Sequence, residues 1–188
     1  AQYTHIVHSA AEISFSKSVA DAIRVNVVPV QRLCEVVKAC SSLERVVYVS
    51  TAYINNASDE PILETIDMTQ DINVLMRSPK PENHPNTYCM SKYMAERWLH
   101  EYCGTQYAVI RPSIIGPAIA HPYPGFAHQY SSPIVNVINL LYSGIQSHLE
   151  PNGESPNVIP VDTVVGDILD ALVFDQLGKS RIIHSTSS

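Results

Sequence analysis

The sequence predicts an α/β fold built on a doubly wound, mostly parallel sheet. Three observations predict it. Short β-branched stretches at 4–8, 45–50, 107–111 and 181–186 alternate with stretches of helical periodicity, the order expected of strands with crossover helices. The run Arg45-Val46-Val47-Tyr48-Val49-Ser50 is apolar without alternation, as in a strand covered on both faces. Small and hydroxyl residues follow each strand, at the edge where ligands bind in open parallel sheets.

Composition narrows the function classes. The 188 residues are 45% hydrophobic and 16% charged, ordinary values for one globular domain or most of one. A net charge of −6 without a Lys/Arg cluster argues against a nucleic-acid surface. No apolar run is long enough to span a membrane. Four cysteines without C-x-x-C spacing suit an intracellular, reducing compartment rather than secretion. The eight histidines form no H-E-x-x-H or Cys/His cluster, so no metal site is expected. The chain starts at Ala1 and enters a strand almost at once, so it is expected to belong to a longer protein.

Taken in order, the strand at 4–8 is followed by Ser9-Ala10-Ala11, small enough for a ligand to approach, or simply a tight turn. A helix is predicted over 18–40, with Val30, Leu33, Cys34 and Val37 at helical spacing and a kink at Pro29. Asn26 lies on an otherwise apolar stretch before that proline and needs polar partners there. The strand at 45–50 ends in Ser50-Thr51, which serve either as caps or as site hydroxyls. Residues 56–86 are acidic and interrupted by proline, an irregular insertion with one helical turn near 71–76, either a substrate lid or a solvated excursion. Pro85-Asn86-Thr87 opens a helix to about 103, with Met90, Met94 and Trp98 as its core stripe. The strand at 107–111 stops at Pro112, and Ser113-Ile114-Ile115-Gly116-Pro117 continue as a loop at the sheet edge. Residues 113–160 read as a substrate-side region. Its helix from 132 or 133 to about 147 is apolar almost all round, which suits burial first, then an interface or an apolar channel. Asp162 is expected to cap a helix over 163–177 that Gly178 terminates, and 181–186 is the last strand.

The candidate chemistry centres on Tyr88 and Lys92. Four residues apart on one helix, they share a face. An ammonium beside a phenol favours the phenolate and lowers its pKa, which suits proton transfer in carbonyl reduction. The spacing alone is a weak signal. Thr51, the Tyr88–Lys92 pair and Pro112-Ser113 falling at one edge of one sheet is a stronger one. Ser-His-Asp hydrolysis is the competing enzyme class, but no G-x-S-x-G elbow is present.

Together these motifs resemble the extended short-chain dehydrogenase/reductases, and most closely their fatty acyl-CoA reductase branch, the male-sterility domain. The matching pieces are His8-Ser9-Ala10-Ala11-Glu12, Asn26-Val27, Val49 through Tyr53, Asn86-Thr87-Tyr88 through Lys92, Ala95-Glu96, Ile110 through Pro117, Pro122 with Pro124-Gly125, Ile159 through Asp162, and His184 with Ser187-Ser188. The resemblance implies a Rossmann-like sheet represented by its C-terminal half. The Gly-rich phosphate-binding turn that opens the family's domain is absent from these residues. It implies Tyr88 as acid/base, Lys92 as its partner and ribose ligand, Thr51 as the hydroxyl that polarises the carbonyl, and Asn26 as support for the proton relay. It implies cofactor contacts from Ser9, Ala10, Ala11, Ser50, Tyr88, Lys92, Pro112, Ser113 and Ile114. The implied reaction is NADPH-dependent reduction of an acyl-CoA or other acyl thioester to aldehyde or primary alcohol, with NADH as the alternative reductant. A thioester-reductase domain of a modular synthetase or carboxylic acid reductase, or a non-catalytic Rossmann-like fragment, are the alternative readings. A homodimer and a missing N-terminal half of the domain are the expected partners. The 188 residues alone are expected to bind cofactor poorly.

Overall fold

The computed structural model describes residues 3–55, 61–103, 106–128, 133–145, 156–173 and 181–187. In chain order the elements are β1 (His5–His8), α1 (Val19–Ala22), α2 (Val28–Ala39), β2 (Arg45–Val49), α3 (Ile72–Arg77), α4 (Thr87–Tyr102), β3 (Gln106–Pro112), β4 (Ile114–Gly116), α5 (Pro133–Tyr142), β5 (Val158–Pro160), α6 (Val161–Val173) and β6 (Arg181–Ser185). The main sheet has the order β1-β2-β3-β6, and every neighbouring pair is parallel. β4 and β5 form a second, two-stranded parallel sheet. Thus 114–116, expected as loop, is a short strand.

Helices cover both faces of the main sheet. Val46, Tyr48, Tyr107 and Val109 pack against Val30, Cys34 and Val37 of α2 and Ala95 and Leu99 of α4. Val47, Ala108 and Ile110 face the other way, onto Val164 and Ala171 of α6 and Ile159 of β5. Alternate residues of each central strand therefore enter two different cores. This is why both strands lack polar alternation. Ser50 N–H continues the ladder to the Ile110 carbonyl (2.7 Å), and Ser113 N–H to the Ser185 carbonyl (3.0 Å). The residues after β2 and β3 thus emerge at one edge. Among the described residues β1 pairs with β2 alone, and its other side is an edge of the sheet, with Val7 42% exposed.

The first helical stretch starts where Ser18 Oγ accepts from Asp21 N–H at 3.1 Å. Its irregularity lies earlier than Pro29. Residues Ile23–Val27 form a π turn, and Val28 N–H reaches back to the Ile23 carbonyl. Pro29 itself sits in the first turn of α2, where a missing N–H costs little. The widened turn carries the buried Asn26.

The described part of the 56–86 excursion, from Pro61, is tied to the body. Arg97 donates to the carbonyls of Asp67 (2.6 Å) and Gln70, Arg111 donates to those of Thr65 (2.9 Å) and Leu63 (3.4 Å), and His84 Nδ1 pairs with the Ile54 carbonyl at 2.6 Å. α3 is capped by Asp71, and its Ile72 and Leu75 pack with Met90 and Met94 of α4.

Two expectations fail beyond β4. α5 is not buried: Val135 is its buried residue, while Ile138, Leu140 and Tyr142 are exposed. Asp162 lies inside the first turn of α6, and its carboxylate accepts from the N–H groups of Ile119 (3.1 Å), Ala120 (2.8 Å) and His121 (3.1 Å). It fastens a loop rather than capping a helix. The helix end near 177 and the stop at Gly178 lie outside the described residues.

Candidate active site

Asn86 starts α4 by accepting from Cys89 N–H (2.9 Å). That start sets the phase of the helix. Cys89 through Arg97 are buried, and with them the polar side chains of Ser91, Lys92, Glu96 and Arg97. Lys92 is 2% exposed, and its ammonium donates to the Val49 carbonyl at 2.7 Å. The same nitrogen lies 4.7 Å from the ring centre of Tyr48 and 6.0 Å from that of Tyr88. Tyr88 and Lys92 thus share one face of α4, and that face meets the carboxyl end of β2. Thr51, two residues past Val49, is buried, and its Oγ accepts from Tyr53 N–H at 3.3 Å. In that bond it is an acceptor, so its O–H hydrogen is available to a ligand.

Asn26 holds a neighbouring loop rather than the phenol itself. Its Oδ1 accepts from Glu12 N–H (2.8 Å), and its Nδ2 donates to the Glu12 carbonyl (3.0 Å) and to Ser91 Oγ (2.8 Å). Ser91 in turn donates to the Tyr88 carbonyl at 2.7 Å. The segment after β1 is pinned again where the Thr87 hydroxyl donates to the Lys17 carbonyl (2.9 Å). This lays Phe15 beside Tyr88, ring centres 6.0 Å apart. Ser9 and Ala10 are exposed at the end of β1, and Ala11 is half-buried.

The electrostatics differ from the sequence expectation. Burial pushes the Tyr88 phenol up to about 12, with Cys89 adding to the rise. Proximity to Lys92 does not bring it toward neutrality, because the ammonium is committed to the Val49 carbonyl and desolvation of the phenolate dominates. Burial lowers Lys92 to about 8, with Glu96 opposing. His8, whose ring meets Tyr48 edge-on at 5.6 Å, is lowered by burial and then by Lys92. Tyr48 is raised well above its usual range by burial, then by Glu96 and Tyr88.

Buried polar atoms at the sheet edge point to a ligand. Ser50 Oγ, Ser113 Oγ and His8 Nδ1 have no hydrogen-bond partner among the described residues. They stand at or just past the ends of β2, β3 and β1. Such groups are costly unless something bonds them, and a nicotinamide nucleotide offers amide and hydroxyl groups to do so. Pro112 and Ser113 are buried and Ile114 half-buried beside them. Sequence reasoning missed His8, Tyr48, Ser91 and the Glu96–Arg111 ion pair. The signal for Glu96 was its place one turn after Lys92. Among the described residues, no group of His, Cys, Asp and Glu is arranged to hold a metal ion.

The parallel sheet covered by helices on both faces is a Rossmann-like α/β arrangement, with Lys92 and the buried hydroxyls of Ser50 and Ser113 at the carboxyl edge of its strands. Solved structures share this fold: the terminal R domain of the myxalamid PKS-NRPS pathway (TM-score 0.74, 19% identity, 97% of this chain and 42% of that one). So does UDP-glucuronic acid 4-epimerase of Bacillus cereus in complex with NAD (TM-score 0.72, 13% identity, 98% and 54%). The chain belongs to the male sterility protein family, which matches residues 1–168. Fatty acyl-CoA reductase 1 of Xenopus laevis is 27% identical over 94% of this chain and 37% of its own length. Fatty acyl-CoA reductase 2 of Mus musculus is 28% identical over 97% and 39%. The chain spans a little over a third of the length of these relatives.

Proposed function

We propose that the protein of which this chain forms part reduces a fatty acyl thioester, acyl-CoA, to the aldehyde or primary alcohol, with NADPH as reductant. The observation that carries the reading is the buried Lys92 ammonium fixed at the end of β2, one turn from Tyr88, in a chain whose named relatives are fatty acyl-CoA reductases. Bound NADPH would supply the hydride to the acyl carbonyl carbon. Ser9, Ala10, Ala11, Ser50, Pro112, Ser113 and Ile114 line the strand ends where its nicotinamide half would lie, and Lys92 would reach its ribose. A phenol raised to about 12 stays protonated across the neutral range. Tyr88 therefore works as the proton donor to the oxygen that gains charge. Thr51 donates a hydrogen bond to the same oxygen. The resulting hemithioacetal expels the thiol to give the aldehyde, and a second reduction gives the alcohol. Asn26 supports the relay indirectly, through Ser91 and the Tyr88 backbone.

The test is loss of nicotinamide absorbance when the full-length protein meets NADPH and a long-chain acyl-CoA. Tyr88→Phe is expected to keep the fold and lower kcat by roughly a thousandfold. Unchanged turnover in that variant would remove Tyr88 from the mechanism.

A further inference from the structure

Glu96 and Arg111 form an ion pair closed off from solvent, with Oε2 and Nη2 2.6 Å apart and side chains 0% and 1% exposed. Arg111 Nε also donates to both carboxylate oxygens, at 3.1 and 3.2 Å. The other guanidinium hydrogens go to the carbonyls of Thr65 (2.9 Å) and Leu63 (3.4 Å) and to Nε2 of His184 (3.2 Å). A pair so placed is a poor source of stability. Stripping water from two ions offsets most of their attraction, and apolar residues of like volume often serve as well. What it supplies is position. Glu96 lies one turn after Lys92, so the two side chains leave the same face of α4. Arg111 immediately precedes Pro112 and Ser113. One ion pair therefore ties the helix bearing Tyr88 and Lys92 to the strand end bearing Pro112 and Ser113. Through Leu63 and Thr65 it also ties both to the excursion that follows Pro61.

We propose that Glu96 is a positioning residue of the reductive site: clamped by Arg111, it fixes α4 against β3 and with it the Lys92 side chain one turn away. The kinetic consequence rests on the reductase reading; the geometric one does not. Around Lys92 stand Tyr88 and Glu96 from its own helix, Tyr48 and the Val49 carbonyl from β2, and His8 from β1, with Arg111 of β3 bound to Glu96. Of these, Glu96 is the carboxyl group. Burial lowers Lys92, and Glu96 acts against that fall.

Removing Glu96 alone would strand a buried guanidinium, so the test replaces both partners, Glu96→Gln with Arg111→Met, in the full-length protein. The double variant is expected to fold, judged by near-UV circular dichroism. The Lys92 ammonium, followed by nitrogen NMR of labelled lysine, is expected to titrate lower, since the carboxylate that opposes its fall is gone. With NADPH and acyl-CoA, kcat is expected to fall roughly tenfold or more, and the alkaline limb of its pH profile to move by the same shift. Glu96→Asp, which keeps the charge on a shorter arm, is expected to leave the Lys92 titration in place and still lower kcat. A folded double variant with an unmoved Lys92 titration overturns the proposal. So does a double variant that cannot fold, since the pair would then serve the fold itself, and so does wild-type kcat in Glu96→Asp. If the wild-type protein turns over no acyl-CoA, the reductase reading fails while the Lys92 titration still decides the positioning claim.

Discussion

Lys92 donates to the carbonyl of Val49 at 2.7 Å, binding the middle of α4 to the last residue of β2. The bond holds an ammonium where water barely reaches it, and burial lowers its pKa from 10.5 to about 8. The sign follows. The folded chain releases this proton at lower pH than the unfolded chain, so a charged Lys92 opposes folding below about pH 8. That cost is relieved as pH rises from about 8 toward the unfolded value. Lys92→Met is therefore expected to raise stability at pH 7 by about 1 kcal/mol, after the lost bond to Val49 is allowed for. Turnover should vanish in the same variant. Urea unfolding at pH 7 and pH 10 checks it: the advantage over wild type should shrink at the higher pH.

Asn26→Ala removes three hydrogen bonds at once, two to the backbone of Glu12 and one to Ser91. The expected loss is about 2–3 kcal/mol. Amide exchange at Glu12 should speed up more than exchange in β2 or β3. If both rise together, Asn26 is a general core residue and not a loop anchor.

Asp162→Asn weakens the grip on the amides of Ile119, Ala120 and His121. Those amides are expected to exchange at least about fivefold faster in the variant. Their bonds hold the wild-type carboxyl down at about 2. Its contribution is present above the unfolded pKa and is lost as pH falls through about 2, so wild-type protection of these amides should survive at pH 4.

Gly116→Ala is expected to cost about 1–2 kcal/mol. A Cβ there would stand 2.7 Å from Cγ1 of Val158, on the strand paired with β4. Gly166→Ala, where nothing lies within 4 Å, is the matched control. Equal effects in thermal melts would show that β4 and β5 part easily.

Local residue pattern was enough for some of this molecule. The unbroken β-branched run of β2 signalled burial on both faces, and the spacing of Tyr88 and Lys92 put both on one face of α4. What escaped depends on distant partners. The π turn sits at 23–27 rather than at Pro29, because the helix can widen ahead of a proline that its first turn tolerates. α5 looked buried because it is apolar all round, yet apolar composition does not say whether neighbouring elements reach it. The direction of the Tyr88 shift needed the depth of its burial, which no sequence spacing carries. Glu96 and Arg111 are fifteen positions apart, and their meeting needs the α4–β3 crossover to be known.

Among the described residues β1 bonds to β2 on one side and offers the other. Prepared as an isolated polypeptide, this chain would carry a template for strand addition, and Val7 beside that rim adds an apolar foothold. The expected behaviour is self-association that climbs with concentration, relieved by an added peptide able to lie alongside His5–His8.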